Sequence, residues 1–330
     1  MESETGPGEN TLPGLRWVPR RVSRVGCLEG CLAYHGMEAP GAWVHGGTGH
    51  AFALNVHASL CPSGPTAWDM RPTHRLERNL GVDARFVFAD RGRGDLVRAR
   101  RDAWDLIRSA IDDGIPCYAW ELAIPEYAVV YGYDGEELLF SGPGSGDEGR
   151  TRWDALGESG IGIVEAAAVR RGSPARDHAV LAGAVAFAWD HAAASADPAS
   201  GPYRSGPAGF DLWRRAVEQR RAIEIGMAYN AAVWAECRAQ AAAFLEEAGR
   251  RLPELVEGAL AEATRAYRTV AEALGEVARA YPFRPDLTRR EIPADARIEP
   301  AARALAEAGE AEATGLQALR RLRERLTAER

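Results

Sequence analysis

The 330-residue chain has no lysine, and all 40 of its basic side chains are arginine. That absence excludes Schiff-base chemistry and a P-loop, both of which need a lysine amine. Cysteine is scarce: Cys27, Cys31, Cys61, Cys117 and Cys237 are the whole set, and no CxxC pair offers the common zinc framework. No stretch approaches the roughly 18 uninterrupted apolar residues of a spanning helix. The first ten residues are acidic and glycine-rich, unlike a basic-then-apolar leader. A cytoplasmic location without a membrane partner is expected, and in a reducing compartment the cysteines read as free thiols. A basic excess is missing too, since the net charge of -7 is spread evenly, so no nucleic-acid partner is expected. No fixed-period repeat is visible.

What is present suits a folded chain of two domains, with 46% hydrophobic and 26% charged residues. Residues 1–24 read as an extended lead-in with little periodicity. A short helix is expected over Cys27 to His35, with Cys27 near its start and Cys27, Cys31 and Tyr34 on one face. A glycine-rich loop at 43–52 leads to a half-buried strand at 52–57, followed by the proline-rich stretch Cys61 to Trp68. A strand is expected at 84–89 and a helix at 95–114. Strands at 116–122, 127–133 and 137–141 then form hairpins, Asp134-Gly135 being a tight-turn signal. Residues 144–149 read as a flexible loop, and 161–169 as a last strand. From about 177 onward alanine and a 3.6-residue period dominate, giving helices at 177–196, 207–223, 228–250, 253–280 and 300–328.

A thiol in the first turn of a helix is stabilised as thiolate by the helix dipole, which makes Cys27 the candidate nucleophile. His50, in Gly47-Thr-Gly-His-Ala-Phe52, is the candidate base and Glu126 the carboxylate that orients it. Cys61, at the head of the proline-rich stretch Cys61-Pro-Ser-Gly-Pro65, is an alternative thiol with His50 or His57 as its base. His50, His57, Cys61 and Glu126 also permit a zinc reading, although H-x6-H-x3-C matches no standard framework. Glu121 and Glu126, beside Trp120, Tyr127 and Tyr131, suit a cationic amine substrate. Asn230 and Trp234 share one helical stripe and are candidate substrate contacts, against the plainer reading of a satisfied core amide and a packed indole.

The order of helix-borne cysteine, glycine-rich loop, strand, helix and aromatic Gly-Tyr-Asp hairpin resembles the papain-like peptidases. More narrowly it resembles the butirosin biosynthesis protein H family. The resemblance is carried by Gly26-Cys27, Tyr34-His-Gly36, Gly46-Gly-Thr-Gly49 with Phe52, and Tyr131-Gly-Tyr-Asp134, with Gly209-Phe-Asp-Leu-Trp213 in the helical part. It implies an α+β papain-like domain at 25–172 followed by an all-α helical bundle at 177–330. It also implies cysteine-dependent transfer of an acyl group from a carrier-protein thioester to an amine. The family's histidine position is held here by Glu126, and the following strand reads Ser141-Gly142-Pro143 where the family has Asp-Pro or an Asn equivalent. The expected function is therefore a cysteine-dependent acyl-transfer or amide-bond enzyme acting on a small-molecule amine or peptide. An acyl carrier protein is its implied donor, docked on Arg91 to Arg101. No cofactor or metal is expected. Two alternatives stay open, a catalytically inactive ligand- or protein-binding module and a cysteine peptidase.

Overall fold

The computed structural model describes residues 8–37, 39–194, 201–284 and 286–328. In chain order the elements are β1 (Glu9–Thr11), α1 (Ser23–Tyr34), α2 (Gly41–Gly47), β2 (Asn55–His57), α3 (Arg71–Glu77), β3 (Val82–Asp90), α4 (Leu96–Asp112), β4 (Cys117–Trp120), β5 (Tyr127–Asp134), β6 (Glu137–Gly142), β7 (Gly146–Arg152), β8 (Ile163–Arg171), α5 (Asp177–Ala193), β9 (Tyr203–Ser205), α6 (Gly206–Glu218), α7 (Glu224–Arg251), α8 (Ala259–Ala280) and α9 (Ile298–Ala328). They form two compact units, Met1–Ala39 with Gly81–Pro174, and Pro40–Leu80 with Ala175–Arg330. The architecture is mixed α and β with a helical C-terminal part. Among the described residues no helix is long and apolar enough to cross a membrane.

The first unit is built on an antiparallel sheet ordered β3-β8-β4-β5-β6-β7. β5 is its spine: its first half pairs with β4, while β1 takes up its second half at Glu9↔Asp134 to Thr11↔Gly132. The expected lead-in thus supplies a strand, and Leu12 and Leu15 behind it are buried; its residues 1–7 lie outside the described residues. The stretch expected as a flexible loop after β6 instead becomes β7, paired with β6 from Glu137↔Arg152 to Gly142↔Gly146. Asp95 caps α4 by accepting from the Val97 and Arg98 amides, and the helix buries Ala99, Ala103, Trp104, Ile107 and Ile111 along one stripe.

The second unit is helical. α7, α8 and α9 carry long buried stripes, and α5 and α6 complete the core. The boundary expected between 172 and 177 is where the chain enters this unit for the last time, but segment 40–80 groups with it as well. The glycine-rich stretch expected as a loop forms helix α2, whose Gly46 lies so close to α7 that a Cβ there would sit 2.0 Å from the Phe244 ring. The strand expected at 52–57 shrinks to β2, paired with β9 rather than with the large sheet. The expected helix end at 195–196 lies outside the described residues.

Candidate functional site

The site in the sheet unit begins with how α1 is seated. A Cβ on Gly26 would lie 2.1 Å from the Val18 carbonyl oxygen, and one on Gly30 2.0 Å from that of Arg16. Only glycine lets the incoming chain run this close along the helix. Trp17 locks the arrangement, its indole N–H donating to the Ser23 carbonyl at 3.1 Å. α1 therefore opens at Ser23, four residues before Cys27.

Ser23 meets the connection between β4 and β5. Its hydroxyl donates to Glu126 Oε2 and accepts from the Tyr127 amide at 3.0 Å. The connection holds its shape through Glu121, at φ 59°, whose amide donates to the Glu126 carbonyl at 2.8 Å. The Glu121 carboxylate accepts from Ser159 at 2.6 Å. Beneath Ser23, buried Arg24 donates to Tyr118 Oη at 3.1 Å. Tyr127 Oη donates to Glu165 Oε2 at 2.8 Å, and the Trp120 ring lies 4.9 Å from the Tyr127 ring. Burial raises the pKa of Glu165, partly offset by the Arg24 charge and the Tyr127 hydrogen bond. Tyr131 sits four residues further along β5, partly buried, away from this cluster.

Cys27 does not hold the helix-start position the sequence suggested. It lies one turn inside α1 at 0% exposure, and burial, reinforced by Cys31, pushes its thiol well above the ordinary range. Cys31 and Cys117 are buried and shifted upward in the same way, and burial takes Cys237 up to about 12. His50 belongs to the other unit, where its Nδ1 pairs with Thr48 Oγ1 at 3.1 Å and its ring lies edge-on to Trp68. The one imidazole described in the sheet unit is His35, bonded to the Val169 carbonyl at 2.8 Å. It follows the end of α1, about 18 Å of helix from Ser23.

Cys61 has a different setting, in the helical unit. Its loop rides on the start of α7, where a Cβ on Gly226 would lie 1.6 Å from the Leu60 carbonyl oxygen. Asn230 donates to the Gly226 carbonyl at 2.8 Å and the Cys61 carbonyl at 3.4 Å, and accepts from Trp234 Nε1 at 3.1 Å. Both candidate substrate contacts thus work as buried supports of the loop. Partial burial raises the Cys61 thiol, but hydrogen bonds from Ser63 and the hydrogen bond and charge of Arg289 outweigh it and bring the pKa below the ordinary value. Ser63 Oγ pairs with Tyr203 Oη at 2.8 Å, and the His57 ring lies 5.0 Å from the Tyr203 ring. Burial lowers the pKa of His57, which favours the neutral imidazole.

Among the described residues no three His, Cys, Asp or Glu side chains gather as a metal ion requires. In the arginine-rich stretch Arg91 donates to the Ser159 carbonyl at 2.8 Å and Arg100 to that of Leu156 at 2.5 Å, contacts that tie it to its own unit. Ser23, Arg24 and Glu165 escaped the sequence reading. The available signal for Ser23 was its spacing, one turn before Cys27 on the face that carries Cys27 and Cys31. Comparison with known protein families and with curated proteins gives no match to this chain.

Proposed function

We propose that the sheet unit is a papain-like module without thiol chemistry, which binds a small molecule at the connection between β4 and β5. The Ser23–Glu126 pair carries this reading. An acyl-transfer nucleophile needs a base that takes its proton in the transition state and returns it to the leaving group. A carboxylate is a far weaker base than an alkoxide, and here the Ser23 hydroxyl is held between Glu126 and the Tyr127 amide. The neighbouring thiol of Cys27 is desolvated, the opposite of what activation requires.

A second reading is favoured by Cys61 alone among the thiols, for it combines partial exposure with a lowered pKa. In it Cys61 is the nucleophile and His57 the base of a cysteine-dependent acyl transfer or peptide hydrolysis, with a carrier-protein thioester as donor and an amine as acceptor.

Treatment with iodoacetamide and, separately, with an acyl-pantetheine thioester, each followed by mass mapping, tests both. The first reading expects neither adduct on Ser23 or Cys27, and a stoichiometric acyl group on either residue overturns it. An acyl adduct on Cys61 that disappears in Cys61→Ser supports the second reading.

A further inference from the structure

Two polar atoms of side chains that touch Tyr127 have no hydrogen-bond partner among the described residues, Glu165 Oε1 and Trp120 Nε1. Both side chains are more than nine-tenths buried, at 8% and 6% exposure. They flank the same ring: Tyr127 donates to the other oxygen of Glu165 at 2.8 Å and has the Trp120 ring 4.9 Å away. Register agrees, since Trp120 pairs with Tyr127, and Ala119, the residue before it, pairs with Ala166, the residue after Glu165. A buried carboxylate oxygen and a buried indole N–H left unmade each carry a desolvation cost, which a group able to meet both would remove.

We infer that this cluster is the hydroxyl-recognising end of the binding site, where a hydroxyl group of a small alcohol or polyol donates to Glu165 Oε1 and accepts from Trp120 Nε1. The inference rests on the reading of the sheet unit as a binding module and names the chemistry of its ligand. The donor and acceptor count decides against the other small groups. An ammonium has donors only, so it satisfies Glu165 and leaves the indole N–H unmade. A carboxylate accepts from the indole but meets Glu165 as a like charge. A hydroxyl supplies one donor and spare lone pairs at a single atom. The Trp120 and Tyr127 rings supply the apolar walls that small-molecule sites place around a few polar anchors.

The test follows the indole N–H resonance of Trp120 in the full ¹⁵N-tryptophan-labelled chain, assigned by its loss in Trp120→Phe. Glycerol is the probe, with propylammonium and propionate as controls of matched size. Glycerol is expected to shift the resonance along a saturating curve while neither control does, and Glu165→Gln is expected to weaken glycerol binding at least tenfold. A linear response to glycerol, or a propylammonium or propionate response as large, overturns the inference. Should Glu165→Gln fail to fold, the three-probe comparison on the unaltered chain decides alone. Failure here is separable from failure of the binding-module reading, which shows itself as an acyl adduct on Ser23 or Cys27.

Discussion

His191 is a buried base held neutral. In α5 its Nε2 lies 3.3 Å from the Leu54 amide nitrogen and 3.1 Å from the Leu54 oxygen, and burial lowers its pKa to about 4, with the Arg238 charge acting in the same direction. An unfolded histidine titrates near 6.5, so between these values the unfolded chain binds more protons than the folded one. Stability is therefore full above about pH 6.5 and falls toward pH 4, by up to about 3 kcal/mol from this residue. Urea unfolding at pH 7 and pH 5 checks this: the loss between them should shrink in His191→Gln, and an unchanged slope would assign it to other groups. The contrast between Ser23 and Cys27 belongs to the same scale. Chemical reactivity drew the sequence reading to sulfur, but a residue's place on the dipole depends on where the helix begins. Close packing of Gly26 and Gly30 against the lead-in sets that start, and two glycines four residues apart do not announce it.

Secondary elements were legible where a single period dominated. β3, β4, β5, β6 and β8 and the helices α5 to α9 fall close to where alternation or the 3.6-residue stripe placed them. β1, β7 and β9 were not legible, because three or seven mostly polar residues become strands only when a partner strand supplies the hydrogen bonds. α2 was hidden by its glycines, which serve close approach to Phe244 and Leu80 rather than flexibility. Glycine in a helix thus has two meanings, and substitution separates them. In Gly26→Ala the new methyl meets the Val18 carbonyl oxygen, and α1 must move off the lead-in at a cost of about 3 kcal/mol. Gly275, inside α8, has nothing within 4 Å of the added carbon, and Gly275→Ala should gain about 0.5–1 kcal/mol from helix propensity. Chemical denaturation of both variants reads the difference, and equal effects would refute the account of how α1 is seated.

At the scale of the whole molecule, the helical unit is discontinuous in sequence, which no composition shift reveals because 40–80 carries the glycine, histidine and proline content of a loop region. What joins its two pieces is physical. Arg238 on α7 is fully buried, forms a bidentate pair with Glu312 of α9 at 2.8 Å on both arms, and donates to the Ala51 and Ala53 carbonyls at 2.9 and 2.6 Å. His191 reaches Leu54, β9 pairs with β2, and Asn230 holds the Cys61 loop. A fragment of residues 175–330 keeps every long helix but strips Arg238 of two carbonyl acceptors and opens the Phe244 surface that α2 covers. A buried guanidinium left short of partners costs several kcal/mol, against a total stability of about 5–15 kcal/mol for a whole domain. The fragment is expected to retain helical circular dichroism but lose cooperative unfolding, whereas a chain in which 40–80 is joined to 175–330 by a flexible linker should unfold in one step. Glu312→Gln in the full chain tests the same clamp from the other side, with an expected loss of about 3–5 kcal/mol. Cooperative unfolding of the bare fragment at the stability of the linked form would show that segment 40–80 rests on the bundle without helping to build it.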